Sequence, residues 1–181
     1  MARYPDVVPI RNLNKERCDA LLVGPGGAKL ATLPADLPVV LDGAAIAGAK
    51  RARSGVTVIT PHEGELRYLG IKPGADRLET AREIADRFGI YVVLKGNRTV
   101  IAAPTGEFSI DEIGGPELAT AGSGDVLAGL IASFLVSVKD GLSPFELICS
   151  AVSLHSRAGA SAAKRFTSVT AMEIIDSLVD V

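Results

Sequence analysis

The sequence predicts an α/β protein, a mainly parallel sheet flanked by helices on both faces, with a short β-hairpin. Three observations carry this. Short apolar runs that stop at Gly, Pro or a charged residue alternate with longer stretches of helical periodicity, the pattern of strand–helix–strand units. Apolar residues make up 48% of the chain, yet aromatics are only 4% and Trp is absent. Such a core is built from Ala, Val, Leu and Ile, as where parallel strands are buried on both faces. Finally, 181 residues suffice for one substantial core and are few for two, so one domain over 1–181 is expected.

Taken in order, Ala20–Val23 reads as a strand that ends in the turn Gly24-Pro25-Gly26-Gly27. Pro38–Asp42 is a second strand with an acid at its carboxyl end, and Val56–Thr60 a third, stopped by Pro61. Leu78, Ala81, Ile84, Ala85 and Phe88 fall on one helical face from Arg77 to Phe88, and Gly89 supplies a C-cap. Tyr91–Leu94 is a fourth strand, ending at Lys95-Gly96. Thr99–Ala102 and Glu107–Ile110 flank Pro104-Thr105-Gly106 as a hairpin. Helices follow over Asp125–Val138, Pro144 to about Lys164, and Thr170–Leu178. In parallel sheets ligands bind outside the carboxyl ends of the strands. Gly24–Gly27, Asp42, Thr60–Glu65 and Lys95 fall there.

The bulk properties exclude several partners. The formal net charge is −2, and no basic stripe is present to displace counterions from nucleic acid. Lys50-Arg51-Ala52-Arg53 is too short to change this and reads as the solvated end of a helix. Cys18 and Cys149 have neither metal-ligand spacing nor disulfide density, so free thiols in a reducing, cytoplasmic setting are expected. Met1–Pro5 lacks the apolar core of a secretory signal. The most apolar run, Val126–Val138, is shorter than the ~18 residues of a membrane span and reads as a buried helix. No dedicated protein metal site is visible.

The most informative segment is Ala119-Thr120-Ala121-Gly122-Ser123-Gly124-Asp125-Val126-Leu127-Ala128-Gly129. Glycines just before an apolar helix let successive N–H groups turn outward. Together with the positive end of the helix dipole they make an anion hole suited to phosphate. Asp125, in the first turn, is placed to accept a proton from a hydroxyl as that oxygen attacks phosphorus. By itself the segment reads equally well as a helix start with a favourably placed acid.

Further segments distinguish the two. Ala119–Gly129 resembles the signature of the ribokinase-like superfamily, in particular its branch of ADP- or ATP-dependent NAD(P)H-hydrate dehydratases. Thr60-Pro61-His62-Glu63-Gly64-Glu65 looks like that branch's T-P-H-x-G-E motif. Val93–Ala102 resembles its L-K-G-x-x-T-V-I strand and turn, and Leu154-His155-Ser156-Arg157-Ala158-Gly159 its L-H-G-x-A-G helix. Val23-Gly24-Pro25-Gly26 and Val40-Leu41-Asp42 match two earlier blocks in the right order.

The resemblance implies a ribokinase-like fold and a repair reaction. A hydroxyl on a hydrated nicotinamide ring is phosphorylated at the expense of a nucleotide, and phosphate then leaves. It implies Asp125 as base and substrate contact, Gly122, Ser123 and Gly124 on nucleotide phosphate, and Lys95, Gly96, Asn97, Arg98 and Thr99 lining the nucleotide site. Gly26 and His62 would meet the hydrated dinucleotide, and Mg²⁺ would bridge the phosphates of ATP or ADP. Taken alone, Lys95 reads equally as a solvated loop lysine, His62 as a turn or capping residue, and Gly26 as part of a turn. Glu65 is expected to orient its loop or a magnesium shell, Glu63 to face water, Asp42 to support a site residue from behind or, in preference, to cap the following turn, and His155 to be a satisfied core histidine.

Several departures from the family pattern are visible. Family members usually carry a leading strand–turn–helix portion before the block that corresponds to Asp6–Val23; here it is missing. The expectation is therefore an N-terminally shortened domain with an open sheet edge: another chain covers it, as in a homo-oligomer, or the sheet is rearranged, or the pocket is more open. The second acid of the D-A-D block is Ala44, the usual Asn-Pro before the catalytic loop is Gly115-Pro116, Ala121 stands for a glycine and Ser123 for a threonine. Two other readings share the Asp125 loop: a related kinase of a vitamin-like or sugar alcohol, and a nucleotide-binding homologue without catalysis.

Overall fold

The structure, a computed structural model, describes residues 18–27, 32–50 and 53–181. The expectations for Met1–Pro5, for most of the Asp6–Val23 block and for Arg51 and Ala52 lie outside the described residues. The strands are β1 (Leu21–Val23), β2 (Val39–Leu41), β3 (Thr57–Ile59), β4 (Tyr91–Leu94), β5 (Val100–Ala102) and β6 (Phe108–Ile110). They form one six-stranded sheet in sequence order. β1 to β4 run parallel, and β5 and β6 are added antiparallel as the expected hairpin. The sheet is thus mixed, with its parallel half toward β1.

Side chains alternate along each strand and so define two faces. Val39, Leu41, Ile59, Val92, Leu94, Val100 and Ala102 meet one cluster, which the 3-10 helices Gly43–Lys50 and Glu63–Leu69 and helix α1 (Arg77–Phe88) cover. Val40, Val58, Val93 and Ile101 meet the other, under α2 (Ser123–Leu135) and α3 (Pro144–Arg165). A last helix, α4 (Ala171–Asp176), follows α3. Val39, Val40, Val58, Val92 and Val93 are fully buried, which is why these strands read as continuous apolar runs without a polar face.

α1 begins where the periodicity predicts, because Asp76 caps it through Oδ1 to the N–H groups of Leu78 and Glu79. α2 starts two residues before Asp125 and its regular turns end at Leu135, continued to Asp140 as a 3-10 helix. The expected solvated helix end at Lys50–Arg53 is corrected at Arg53. Its guanidinium donates to the carbonyls of Pro34 and Leu37 (2.7 Å) and to Thr57 Oγ1 (3.1 Å). Burial lowers its pKa, against a smaller opposing effect of Asp36. This arginine fastens the chain before β2 to the chain before β3. Among the described residues, no helix is long and apolar enough to cross a membrane.

Candidate active site

The parallel register builds the site. Leu41 lies beside Ile59, so the next residues, Asp42 and Thr60, emerge side by side at the carboxyl ends of β2 and β3. Thr60 donates its hydroxyl to Asp42 Oδ1 at 2.6 Å. Lys95, just past β4, reaches the same oxygen with Nζ at 2.8 Å and lies 3.8 Å from Glu65 Oε2. Asp42 was expected to cap the following turn. Its side chain is instead buried and taken up by Thr60 and Lys95, so it fixes the ammonium. Gly24 ends β1 against this group: a Cβ there would stand 2.0 Å from the Asp42 carbonyl oxygen, and its φ is +129°. Only glycine lets the two strand ends approach so closely. Gly26 lies two residues further on, exposed and left-handed at φ 64°.

The Thr60–Glu65 turn is held by a reciprocal capping box. His62 Nδ1 accepts from the Gly64 N–H at 3.0 Å, and Glu65 Oε2 accepts from the His62 N–H at 2.9 Å. His62 is thus a capping residue whose Nε2 side stays exposed, 3.7 Å from Glu65 Oε1. Glu63 is exposed as expected but also ion-paired, 3.1 Å from Arg77 Nε. The Lys95 N–H donates to the Pro61 carbonyl at 2.7 Å, which locks the two turns together.

α2 opens differently from the other α-helices. Asp76 and Ser143 cap the longer helices α1 and α3 with their side chains, and at α4 Glu173 reaches back to the Thr170 N–H, whereas Gly122, left-handed at φ 85°, gives α2 no side-chain cap. The Ser123 N–H turns back to the Thr120 carbonyl and the Val126 N–H to that of Gly122. The N–H groups of Gly124 and Asp125 meet no acceptor among the described residues. These are bare amides at the positive end of a 13-residue helix. A Cβ at Gly124 would lie 3.1 Å from Lys95 Nζ, so the ammonium rests against this turn. Asp125 is exposed beside it.

A cavity of about 460 Å³ opens between the Lys95 turn and the start of α2. Of the nucleotide candidates, Lys95, Gly96, Asn97, Thr99, Ser123 and Gly124 line it. Arg98 turns away to an exposed pair with Glu112, and Gly122 stands against Ala171. Gly26, His62 and Asp125 lie outside the cavity wall. His155, 4% exposed, places Nε2 3.1 Å from the Ser123 carbonyl and 3.2 Å from its hydroxyl. It is bonded as a core histidine would be, and it lines the cavity as well. Burial pushes its pKa below the ordinary value, against smaller opposing effects of the Ser123 carbonyl and Asp111.

Sequence reasoning missed the far wall, Gly114–Ala119 with Ser156. Ser156 donates to Asp111 Oδ2 at 2.7 Å, and the same oxygen accepts the Gly114 N–H at 3.1 Å. A Cβ at Gly159 would stand 2.4 Å from Leu118 Cδ2, so the small residue on α3 is what lets that wall close in. Arg77 was also missed; the only signal for it is a basic residue directly after the Asp76 cap.

A family model described as NAD(P)H-hydrate dehydratase matches residues 4–179. The chain belongs to that family. The bifunctional NAD(P)H-hydrate repair enzyme of Mycobacterium leprae is 38% identical over 179 residues, covering 90% of this chain and 37% of that protein. The ADP-dependent (S)-NAD(P)H-hydrate dehydratase of Neisseria meningitidis serogroup B is 39% identical over 154 residues, 75% of this chain and 51% of that protein. The ADP/ATP-dependent NAD(P)H-hydrate dehydratase of Bacillus subtilis, co-crystallized with ATP and Mg²⁺, superimposes with a TM-score of 0.76 at 32% identity. That superposition covers 90% of this chain and 63% of the other. The chain thus spans about a third to a half of these two curated relatives and under two thirds of that solved structure. The ribokinase-like fold expected from the motifs is the one observed.

Proposed function

We propose that this chain carries out nucleotide-dependent dehydration of hydrated NAD(P)H. The observation that carries the reading is the uncapped start of α2, which opens its amides beside Lys95 at the mouth of the cavity. ATP or ADP would place its phosphates on the open amides of Gly124 and Asp125, in the turn that Gly122 and Ser123 shape, with Lys95–Thr99 along its side. The hydrated dinucleotide would approach from the Gly26 and His62 side, bringing its ring hydroxyl to Asp125.

The chemistry answers a leaving-group problem, since hydroxide departs poorly. Asp125 accepts the hydroxyl proton as the oxygen bonds to the terminal phosphorus and the bond to the nucleotide's bridging oxygen breaks. The ring nitrogen's lone pair then expels phosphate from carbon, and loss of a proton from the neighbouring carbon restores the double bond. Preformed N–H dipoles suit the phosphoryl step because they need no reorganisation as charge shifts.

No three His, Cys, Asp or Glu side chains converge among the described residues, and Asp42 and Glu65 are already turned to Lys95. Mg²⁺ fits here as a cation carried on the phosphates, where it would neutralise their charge, and not as a resident of a protein cage. The test is incubation with hydrated NADH, ATP or ADP, and Mg²⁺, following recovery of reduced-nicotinamide absorbance. No recovery while nucleotide still binds by calorimetry would leave a nucleotide-binding protein without this activity.

A further inference from the structure

We infer that Arg77 is a positioning residue that shapes the turn after β4 into a second set of phosphate-facing amides. This rests on the proposed nucleotide site. Arg77, the first residue of α1, donates from Nη1 to the carbonyls of Asn97 (2.6 Å) and Arg98 (3.0 Å), and from Nη2 to those of Leu94 and Lys95 (both 3.0 Å). Glu63 Oε1 lies 3.1 Å from Nε as an ion pair without hydrogen-bond geometry. Four carbonyls of one five-residue turn thus converge on a single guanidinium.

Peptide planarity gives this a consequence. In a trans peptide the C=O of one residue and the N–H of the next point in opposite directions, and the described residues contain no cis bond. Carbonyls of Lys95, Asn97 and Arg98 aimed at Arg77 therefore turn the N–H groups of Gly96, Arg98 and Thr99 away from it. None of these three amides meets an acceptor among the described residues, and Gly96 and Thr99 line the cavity. The turn is not one the chain adopts unaided: Arg98 has φ 58°, the one positive value at a non-glycine residue among those described. A Cβ at Gly96 would lie 2.6 Å from Arg77 Nη2, so the guanidinium fills the space a side chain there would need.

A planar fork with five donors can span several carbonyls where a point-charge ammonium cannot. The test therefore compares R77Q and R77K with wild type, titrating ADP and adenosine by calorimetry and measuring KM and kcat separately for nucleotide and hydrated NADH. Both variants should lose ADP affinity by on the order of tenfold to a hundredfold, the scale of one or two charge-assisted hydrogen bonds. The same factor should appear in KM for the nucleotide, with adenosine affinity and KM for hydrated NADH unchanged. Full recovery of ADP affinity in R77K, or equal losses for ADP and adenosine, would overturn the inference. If R77Q does not fold, R77K decides alone. Wild-type protein that binds no ADP would instead defeat the nucleotide reading beneath it.

Discussion

Replacing Asp42 by Asn tests whether the strand-end network holds Lys95 in place. The Asp42 side chain is 10% exposed and that of Lys95 19%, so the pair is sheltered on both sides. Removing one member of a buried pair costs about 3–5 kcal/mol, mostly because the other charge is left unpaired. Two features lower that here: Asn still accepts from Thr60, and Glu65 remains 3.8 Å from the ammonium. A loss of roughly 2 kcal/mol follows, which for a chain of this size lowers Tm by about 4–8 °C. Urea unfolding of wild type, D42N, K95M and the double variant gives the coupling energy, expected on the order of 1–2 kcal/mol. It should change little between low salt and roughly 0.5 M salt, because sheltered pairs are weakly screened. Strict additivity of the two substitutions, or a D42N stability within about 0.5 kcal/mol of wild type, would refute the network.

Other consequences are equally direct. D125N should abolish turnover while nucleotide affinity stays within a few fold, since it removes the base and little phosphate contact; a variant that still turns over at the wild-type rate contradicts the assignment. Because burial lowers the folded pKa of His155, the unfolded chain takes up the proton first. The His155 contribution is therefore complete above the unfolded value of about 6.5 and is lost as pH falls through it toward the folded pKa, by at most about 1.4 kcal/mol per pH unit. H155Q should remove that component, read as the difference in slope between the two proteins in urea melts across mildly acidic pH; identical slopes argue against it. G24A forces a Cβ to within 2.0 Å of the Asp42 carbonyl, so β1 and β2 must part. We expect a loss above about 3 kcal/mol, and a melting temperature unchanged in G24A would show that the strand ends yield freely.

The elements that local pattern governs were legible in the sequence. α1 was bounded to the residue, because a 3.6-residue apolar stripe meets the Gly89 stop. The Gly122–Asp125 segment was legible as an open turn entering α2 because its glycines are themselves sequence features. What escaped were contacts between distant strand ends. Asp42 looked like a turn cap because its local context is a turn; its partners are 18 and 53 residues away and meet only through the parallel register. Arg53 looked solvated because its neighbours are charged, yet its acceptors are backbone carbonyls, which leave no trace in residue identity. Arg77 was hidden for the same reason.

The two amide sets share one construction. On the α2 side, His155 Nε2 lies on the Ser123 carbonyl; on the β4 side, Arg77 draws four carbonyls. In both cases a donor behind the turn engages carbonyl oxygens while N–H groups of the same turn meet no acceptor among the described residues. Fixed dipoles of this kind attract phosphate without adding formal charge, which matters where Asp42 and Glu65 already stand close to Lys95. A second cation in the wall would compete with Lys95 for those carboxylates; a backbone N–H holds its direction and leaves the Lys95 pairs intact. On this view the residues that never touch a ligand govern affinity through orientation, and substitutions at Arg77 and His155 should act on nucleotide binding more than on the chemical step.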